Sequence, residues 1–243
     1  MSTAPFSQTS LINYIRENSS FSRREIMGCL NKSLIFVNGN VCSDANQPVS
    51  KHDAILVKGA RIYQRKRLYY MFNKPTNVIS TYKDPKGRKD LSYFIKKYRL
   101  PTTLRPCGRL DRHSSGLLIF SNDGDFINQL LHPSFSIKKT YEITINHPLS
   151  DRHKKQLEQG FFLEDGPVSI QFDTIFSQSH FLVTITIGRN RILRRSFEFF
   201  GYEIHVLHRH SIGPLQLNDL PFGQFKELSI SKIKTLVLNQ RNW

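Results

Sequence analysis

The chain is short of cysteine, of long apolar runs and of acid, and each shortage removes a class of protein. Its 243 residues hold three cysteines. Cys29, Cys42 and Cys107 form no C-x-x-C pair, which fits neither a disulfide framework nor a zinc site and reads as reduced thiols in a cytoplasmic protein. No apolar run is long enough to cross a bilayer, and the opening MSTAPFSQTS lacks the basic and apolar regions of a signal peptide. No membrane partner is expected. A Walker loop, a dinucleotide fingerprint, G-x-S-x-G and H-E-x-x-H are all missing, so nucleotide-driven enzymes, hydrolases of that class and zincins lose support. Acid is scarce where base is plentiful: 19 Asp plus Glu stand against 35 Lys plus Arg, a formal charge of +16. That excess implies a polyanionic partner, nucleic acid before an anionic membrane.

The length favours two domains, one of them small. In the first part, SLINYIREN places Ser10 in a capping position before apolar residues at helical spacing. SRREIMGCLNK opens on Ser22 with Glu25 three residues on, a capping box that starts a second helix. LIFVNGNVC carries Asn38-Gly39 between β-rich flanks, the pair suited to a two-residue hairpin turn. AILVKG reads as a further strand and ARIYQRKR as a basic stretch, with the linker near Arg67. The first domain is expected over residues 8–63 and the second over 68–237.

The second part reads as LYYMFNKP (strand), LSYFIKKYR (helix), GLLIF (buried strand), SNDG (turn) and DFINQLL (helix, stopped before Pro133). KKTYEITI, HFLVTITIG and YEIHVLHRHSI alternate as strands do, and NRILRRSFEFFG is helical up to Gly201, a candidate cap. Many short strands in mixed order predict an α+β protein: a small N-terminal α/β domain followed by a mixed, largely antiparallel sheet flanked by helices.

Several residues carry candidate chemistry. Arg23 and Arg24 occupy a helix's first turn, where backbone N–H groups favour anions and a bound phosphate would relieve two misplaced cations. On the NRILRRSFEFFG helix, Ile192, Leu193, Ser196, Phe197 and Phe200 share one side and Arg191, Arg195 and Glu198 the other; Arg194 lies at the boundary, where a partly buried guanidinium would want a carboxylate. His208 and His210 share a strand face that His205 does not, and no thiol or carboxylate at ligand spacing completes a metal site. Asp111, in a loop entering a strand and surrounded by cations, is the best reactive carboxylate; a plain salt bridge with Arg109 or Arg112 is the competing reading.

The words GRLDRHSSGLLIFSNDGD resemble the signature of RsuA-like ribosomal RNA pseudouridine synthases. NKPTNVIST and DPKGRKDL before it, LHPSFSIKKTYEI after it, and GRNRILRRSFEFFGYEIHVLHRHSIGPL with DLPFGQFKEL later extend the likeness over most of the second part. SRREIMGCLNKSLIFVNGNVC is similar to the small RNA-binding domain named for ribosomal protein S-four. The resemblance implies conversion of a specific uridine to pseudouridine in RNA, ribosomal RNA first, by a cytoplasmic monomer without cofactor or metal. It gives Asp111 the role of nucleophile at C1′ or base at the sugar. Tyr141 would pack against the flipped base and assist proton removal at C5, and Arg194 would pair with Asp111. Arg23, Arg24, Lys74, Arg109, Arg112, Arg189 and Arg191 would contact RNA. A non-catalytic RNA-binding or ribosome-assembly protein on the same scaffold is the alternative. Three positions depart from the pattern: Asn77 stands for the usual Gly, Ile192 for Gln and Ser196 for Met. Asn tolerates the left-handed backbone that Gly supplies there.

Overall fold

The computed structural model describes residues 9–238; the expected first residue of the N-terminal domain, residue 8, lies outside them. The chain divides into two compact units. The first runs to Leu68 and takes in Pro101–Arg105 and Ser121–Gly124; the second holds the rest.

The first unit contains β1 (Thr9–Ser10), α1 (Leu11–Asn18), α2 (Arg23–Asn31), β2 (Ile35–Val37), β3 (Asn40–Val41), β4 (Pro48–Val49), β5 (Ile55–Val57) and β6 (Ala60–Ile62). Strands β3-β2-β5-β6 form an antiparallel sheet, and its inner face packs with α1 and α2 around Leu11, Ile15, Ile26, Ile35, Ile55 and Val57. The capping box of α2 is complete: Glu25 N–H donates to Ser22 Oγ at 3.3 Å and Ser22 N–H to Glu25 Oε2 at 2.7 Å. Ser10 occupies the N-cap of α1 without a side-chain bond; the free N–H groups of Leu11 and Ile12 donate instead to the carbonyls of Gln47 and Ala45. Asn38 and Gly39 take φ of 51° and 87°, the turn expected of them. Lys58 and Gly59 do the same at 51° and 78°, so the stretch read as merely basic begins with a strand. Lysine is an uncommon residue at positive φ and gave no turn signal.

The remaining elements are β7 (Tyr69–Lys74), α3 (Leu91–Lys97), β8 (Arg105–Cys107), β9 (Ser115–Ser121), α4 (Gly124–Leu131), β10 (Lys139–Ile145), α5 (Asp151–Gln159), β11 (Phe161–Leu163), β12 (Gly166–Val168), β13 (Gln171–Ser177), β14 (His180–Ile185), α6 (Ile192–Phe199), β15 (Ile204–Ile212), β16 (Leu215–Gln216), β17 (Phe225–Glu227) and α7 (Ile230–Leu238). One sheet runs β13-β14-β10-β15-β9-β7-β17, with β16 beside β15 and β8 beside β9. The β9–β15 pair is parallel, whereas β13–β14, β14–β10, β10–β15 and β7–β17 are antiparallel. This is the mixed, largely antiparallel α+β arrangement that the strand pattern predicts.

Strand β9 shows why GLLIF is apolar without alternation. Leu117 and Ile119 join a core with Phe126 and Leu130 of α4 and Ile233 and Leu236 of α7, while Phe120 meets Phe72 edge-on, which in turn stacks on Phe225. A strand buried on both faces has no polar side to show. Tyr141, Ile143 and Ile145 of β10 point into a second core with Leu193 and Phe197 of α6. Gly201 caps α6 at φ 84°, with the Tyr202 N–H reaching Phe197 O and the Gly201 N–H reaching Glu198 O. That closure matches the expected helix end.

Candidate active site

Asp111 lies half-buried in the loop between β8 and β9, and residues 74–80 clamp that loop by its backbone. Lys74, at the end of β7, is fully buried and its Nζ donates to the carbonyls of Pro75, Asp111 and Ser114 at 3.0, 3.1 and 2.7 Å. Ser80 Oγ donates to Leu110 O at 2.6 Å and accepts from Leu110 N–H at 3.1 Å. The Asn77 N–H donates to Arg112 O at 2.7 Å, and Asn77 reaches that position at φ 62°, the left-handed backbone that asparagine tolerates. Lys74, expected at the RNA, is thus engaged by protein carbonyls, two of them on the aspartate's loop.

Burial pushes the Lys74 ammonium down to about 8, with Asp111 acting to raise it and Arg209 to lower it. Lys139 is brought to about 8 by burial and by Arg209. Both folded values lie below the ordinary 10.5, so between those limits the unfolded chain binds more protons than the folded one. Unfolding free energy should then rise with pH across that window. Urea titrations at about pH 8, 9 and 10 should show the rise in the wild type and a smaller one in Lys74→Met.

Among the described residues no cation lies within ion-pair distance of the Asp111 carboxylate, and nothing donates to it. Arg109 and Arg112 are exposed beside it and form no local salt bridge. The direct pair expected with Arg194 is also not formed, because that guanidinium is spent on backbone: Nη1 donates to Ile204 O at 2.7 Å and Nη2 to His113 O at 3.1 Å. Burial lowers the Arg194 pKa and the charge of Asp111 opposes that shift, so the two groups are electrostatic neighbours without contact. The helix wheel places the rest of α6 correctly: Ile192, Leu193, Ser196 and Phe197 are buried. Ser196 Oγ is buried without a hydrogen-bond partner among the described residues.

Arg189, expected at the RNA, is tied to the turn between β11 and β12: it bonds Asp165 Oδ1 at 2.9 Å and also the carbonyls of Asp165 and Pro167. Arg195 joins the same carboxylate at 2.6 Å. Held in this way by Asp165, Arg189 still lines the cleft that also holds Asp111 and the cavity beside it. Arg191, at φ 45° before α6, and Arg109 stay exposed and line a cleft of about 240 Å³ with Asp111, Tyr141, Leu193 and Leu207. A second cavity of about 480 Å³ adjoins it at Arg109 and Tyr141 and reaches Lys139, Ile137, Arg209 and Ile212. In the first unit, Arg23 and Arg24 are exposed at the start of α2.

Tyr141 is buried on β10 with its side chain at the junction of the two cavities. Its hydroxyl accepts from Arg209 Nη1 at 3.3 Å. The sequence reading passed over Arg209, although Leu207 and Arg209 share the inward face of an alternating strand, and an inward arginine is itself a signal. On the opposite face, Glu142 accepts from His180 Nε2 and His210 Nε2 at 2.7 Å each, and these bonds lower its pKa. His208 Nδ1 meets Ser115 Oγ at 2.9 Å. Among the described residues no group of three or more His, Cys, Asp or Glu is arranged to hold a metal ion, and no helix is long and apolar enough to cross a membrane.

A half-buried, unpaired carboxylate on a clamped loop, facing a buried tyrosine across a basic cleft, suits chemistry on a flipped nucleotide. The family model described as RNA pseudouridylate synthase matches residues 68–199. The chain is 35% identical to ribosomal large subunit pseudouridine synthase B of Bacillus subtilis (strain 168), over 88% of this chain and 90% of that protein. It is 30% identical to the dual-specificity RNA pseudouridine synthase RluF of Salmonella typhi, over 91% of this chain and 76% of that protein. A solved pseudouridylate synthase superposes with a TM-score of 0.68 at 25% identity, covering 94% of this chain and all of the other. With sequence and fold in agreement over nearly its whole length, the chain belongs to the RNA pseudouridylate synthases, of the RsuA-like type.

Proposed function

We propose that this enzyme isomerises a specific uridine of ribosomal RNA, with Asp111 as the reactive carboxylate at the ribose. The observation that carries the assignment is the state of that side chain: half-buried, unpaired, and fixed by its backbone through Lys74, Ser80 and Asn77. A carboxylate bound into a salt bridge would have to break it before reaching C1′; this one is free to meet the sugar. In the reaction the N1–C1′ bond breaks, the base turns, C5 joins C1′, and the C5 proton is lost while N1 regains one, so no cofactor or metal is required. Tyr141 packs against the flipped base and assists removal of the C5 proton; its aromatic face suits that stacking. Arg194 holds the local potential positive beside Asp111. Arg109, Arg112 and Arg191 meet the phosphates.

The ribosomal assignment is supported by the likeness to ribosomal large subunit pseudouridine synthase B and by the +16 charge. We read the enzyme as cytoplasmic, in keeping with three buried cysteines that form no disulfide, and as a monomer. The N-terminal domain expected over residues 8–63 serves in this reading as an RNA clamp of the S-four kind, with the domain expected over residues 68–237 as the catalytic one. Replacing both Arg23 and Arg24 by Ala should weaken RNA binding about 10-fold at near-physiological salt and lower the slope of log affinity against log salt by about 2. Filter binding over a salt series measures this, and an unchanged slope would remove the clamp role.

The proposal is tested by mapping pseudouridine in total RNA from cells with and without the gene, rescued by wild type or Asp111→Asn. One ribosomal site should vanish and return only with the wild type. A site lying in another RNA class overturns the ribosomal assignment, and rescue by both overturns the role of Asp111.

A further inference from the structure

We propose that Arg209 is a positioning residue for Tyr141: its guanidinium orients the phenol oxygen toward the cleft and stabilises the negative charge that oxygen gathers as its own hydrogen leaves and before it takes the C5 proton. This rests on the reading of Tyr141 given above.

The strand pairing brings the two together. Thr140 pairs with Ser211 but Tyr141 pairs with Arg209, a register shift that leaves His210 over, so Tyr141 and Arg209 become direct cross-strand neighbours. Arg209 Nε donates to Leu117 O at 2.7 Å, Nη1 donates to Tyr141 Oη at 3.3 Å, and the guanidinium carbon lies 5.8 Å from the Tyr141 ring centroid. A guanidinium donates and never accepts. Tyr141 Oη is therefore the acceptor, and its own hydrogen must point elsewhere, on a ring that lines both cavities.

Arg209 is an unlikely choice for stability alone. It is 4% exposed, makes no ion pair among the described residues, and its Nη2 is buried without a hydrogen-bond partner. The charges acting with it are Lys74 and Lys139, of its own sign. A buried cation without a counter-charge is costly, and an apolar residue of that size would serve the core better. A fixed donor aimed at an atom where negative charge develops is, however, what a reaction site needs. In the step concerned the C5–H bond breaks, its electron pair forms the C5–C6 double bond, and the C6–N1 π pair returns to N1, which takes up a proton. The proton is taken on Tyr141 Oη as the phenol's own hydrogen passes to solvent, and Arg209 stays protonated throughout.

The test compares RNA carrying the mapped target uridine with the same RNA carrying 5-fluorouridine, which has no C5 proton to lose. Rearrangement of the fluorinated base reports only the steps up to C5–C1′ bond formation. In single-turnover assays Arg209→Met should slow the uridine substrate about 100-fold while the fluorinated substrate stays within about threefold of wild type. Arg209→Lys keeps the charge but lacks the fork, and should show the same split at about tenfold. Equal slowing of both substrates, in either variant, makes Arg209 merely structural and overturns the proposal; the Lys variant decides if the Met variant does not fold. Tyr141→Phe is the control for the underlying reading. If it shows no split, the role of Tyr141 fails with it; if it does and the Arg209 variants do not, only the present proposal fails.

Discussion

Asp111→Asn should abolish turnover, lowering the single-turnover rate by about 10⁴-fold or more, the scale of loss when an indispensable reactive group is removed. The substitution keeps the size of the side chain and replaces its nucleophilic, ionised oxygen by an amide. Affinity for the target RNA should stay within about threefold, because the change removes no phosphate contact and phosphates dominate affinity. Stability should also hold to within about 0.5 kcal/mol, since the carboxylate forms no ion pair and accepts no hydrogen bond among the described residues. Gel-shift titration, thermal melting and single-turnover kinetics on one preparation check all three. A variant that melts much earlier would mean that the carboxylate is structural after all, and retained turnover would end the assignment.

Gly116→Ala should be the most destabilising single-methyl change in the catalytic sheet. Gly116 sits at φ 105°, and a Cβ there would lie 2.3 Å from Arg209 O and 2.4 Å from Arg209 N. The clash is with backbone, in the parallel register that pairs Arg209 with Gly116 and His208 with Ser115, so no side-chain rotation can relieve it. Opening β9 from β15 would disturb the sheet beside the Asp111 loop and the bond from Arg209 to Leu117. A loss of about 4 kcal/mol or more is expected, from strain at positive φ added to the steric displacement. Gly39→Ala is the control: it too lies at positive φ, 87°, but nothing lies within 4 Å of its Cβ, so only the local cost of about 1–2 kcal/mol should appear. Urea unfolding separates the two. Equal costs would show that β9 and β15 part locally without consequence.

Local features of the chain were legible in advance wherever a neighbour in sequence supplies the physics. The Ser22–Glu25 box, the Asn38-Gly39 turn, the left-handed Asn77 and the Gly201 cap each depend on a few adjacent residues. The wheel of α6 also held, down to Arg194 at its boundary. Some elements went unread: the Lys58-Gly59 hairpin, the helix Asp151–Gln159 despite its Ser150 and Gly160 caps, and the strand Gln171–Ser177. The last has five consecutive exposed residues at its end, and periodicity cannot mark a strand without a buried face.

Cations were the harder case, because their roles depend on partners far along the chain. From sequence, Lys74, Arg189 and Arg194 were three basic residues near a site, to be shared between RNA and Asp111. In the fold each is claimed by protein oxygens: Lys74 by carbonyls up to 40 positions away, Arg189 by Asp165, and Arg194 by Ile204 and His113. Glu142 was invisible as a partner for the histidines for the same reason, since only adjacent strands bring His180 and His210 to it.

By itself, then, the sequence determined the class of partner through its charge, several helix ends and turns through local hydrogen bonding, and Asp111 as the candidate carboxylate through the motif that holds it. Tertiary structure decided which cations face solvent, which clamp the aspartate's loop, and that Arg209 rather than a carboxylate touches Tyr141. Net charge and short-range hydrogen bonds are properties of neighbouring residues. The partner of a guanidinium or ammonium is instead fixed by strand order and register, which join residues that the chain keeps far apart.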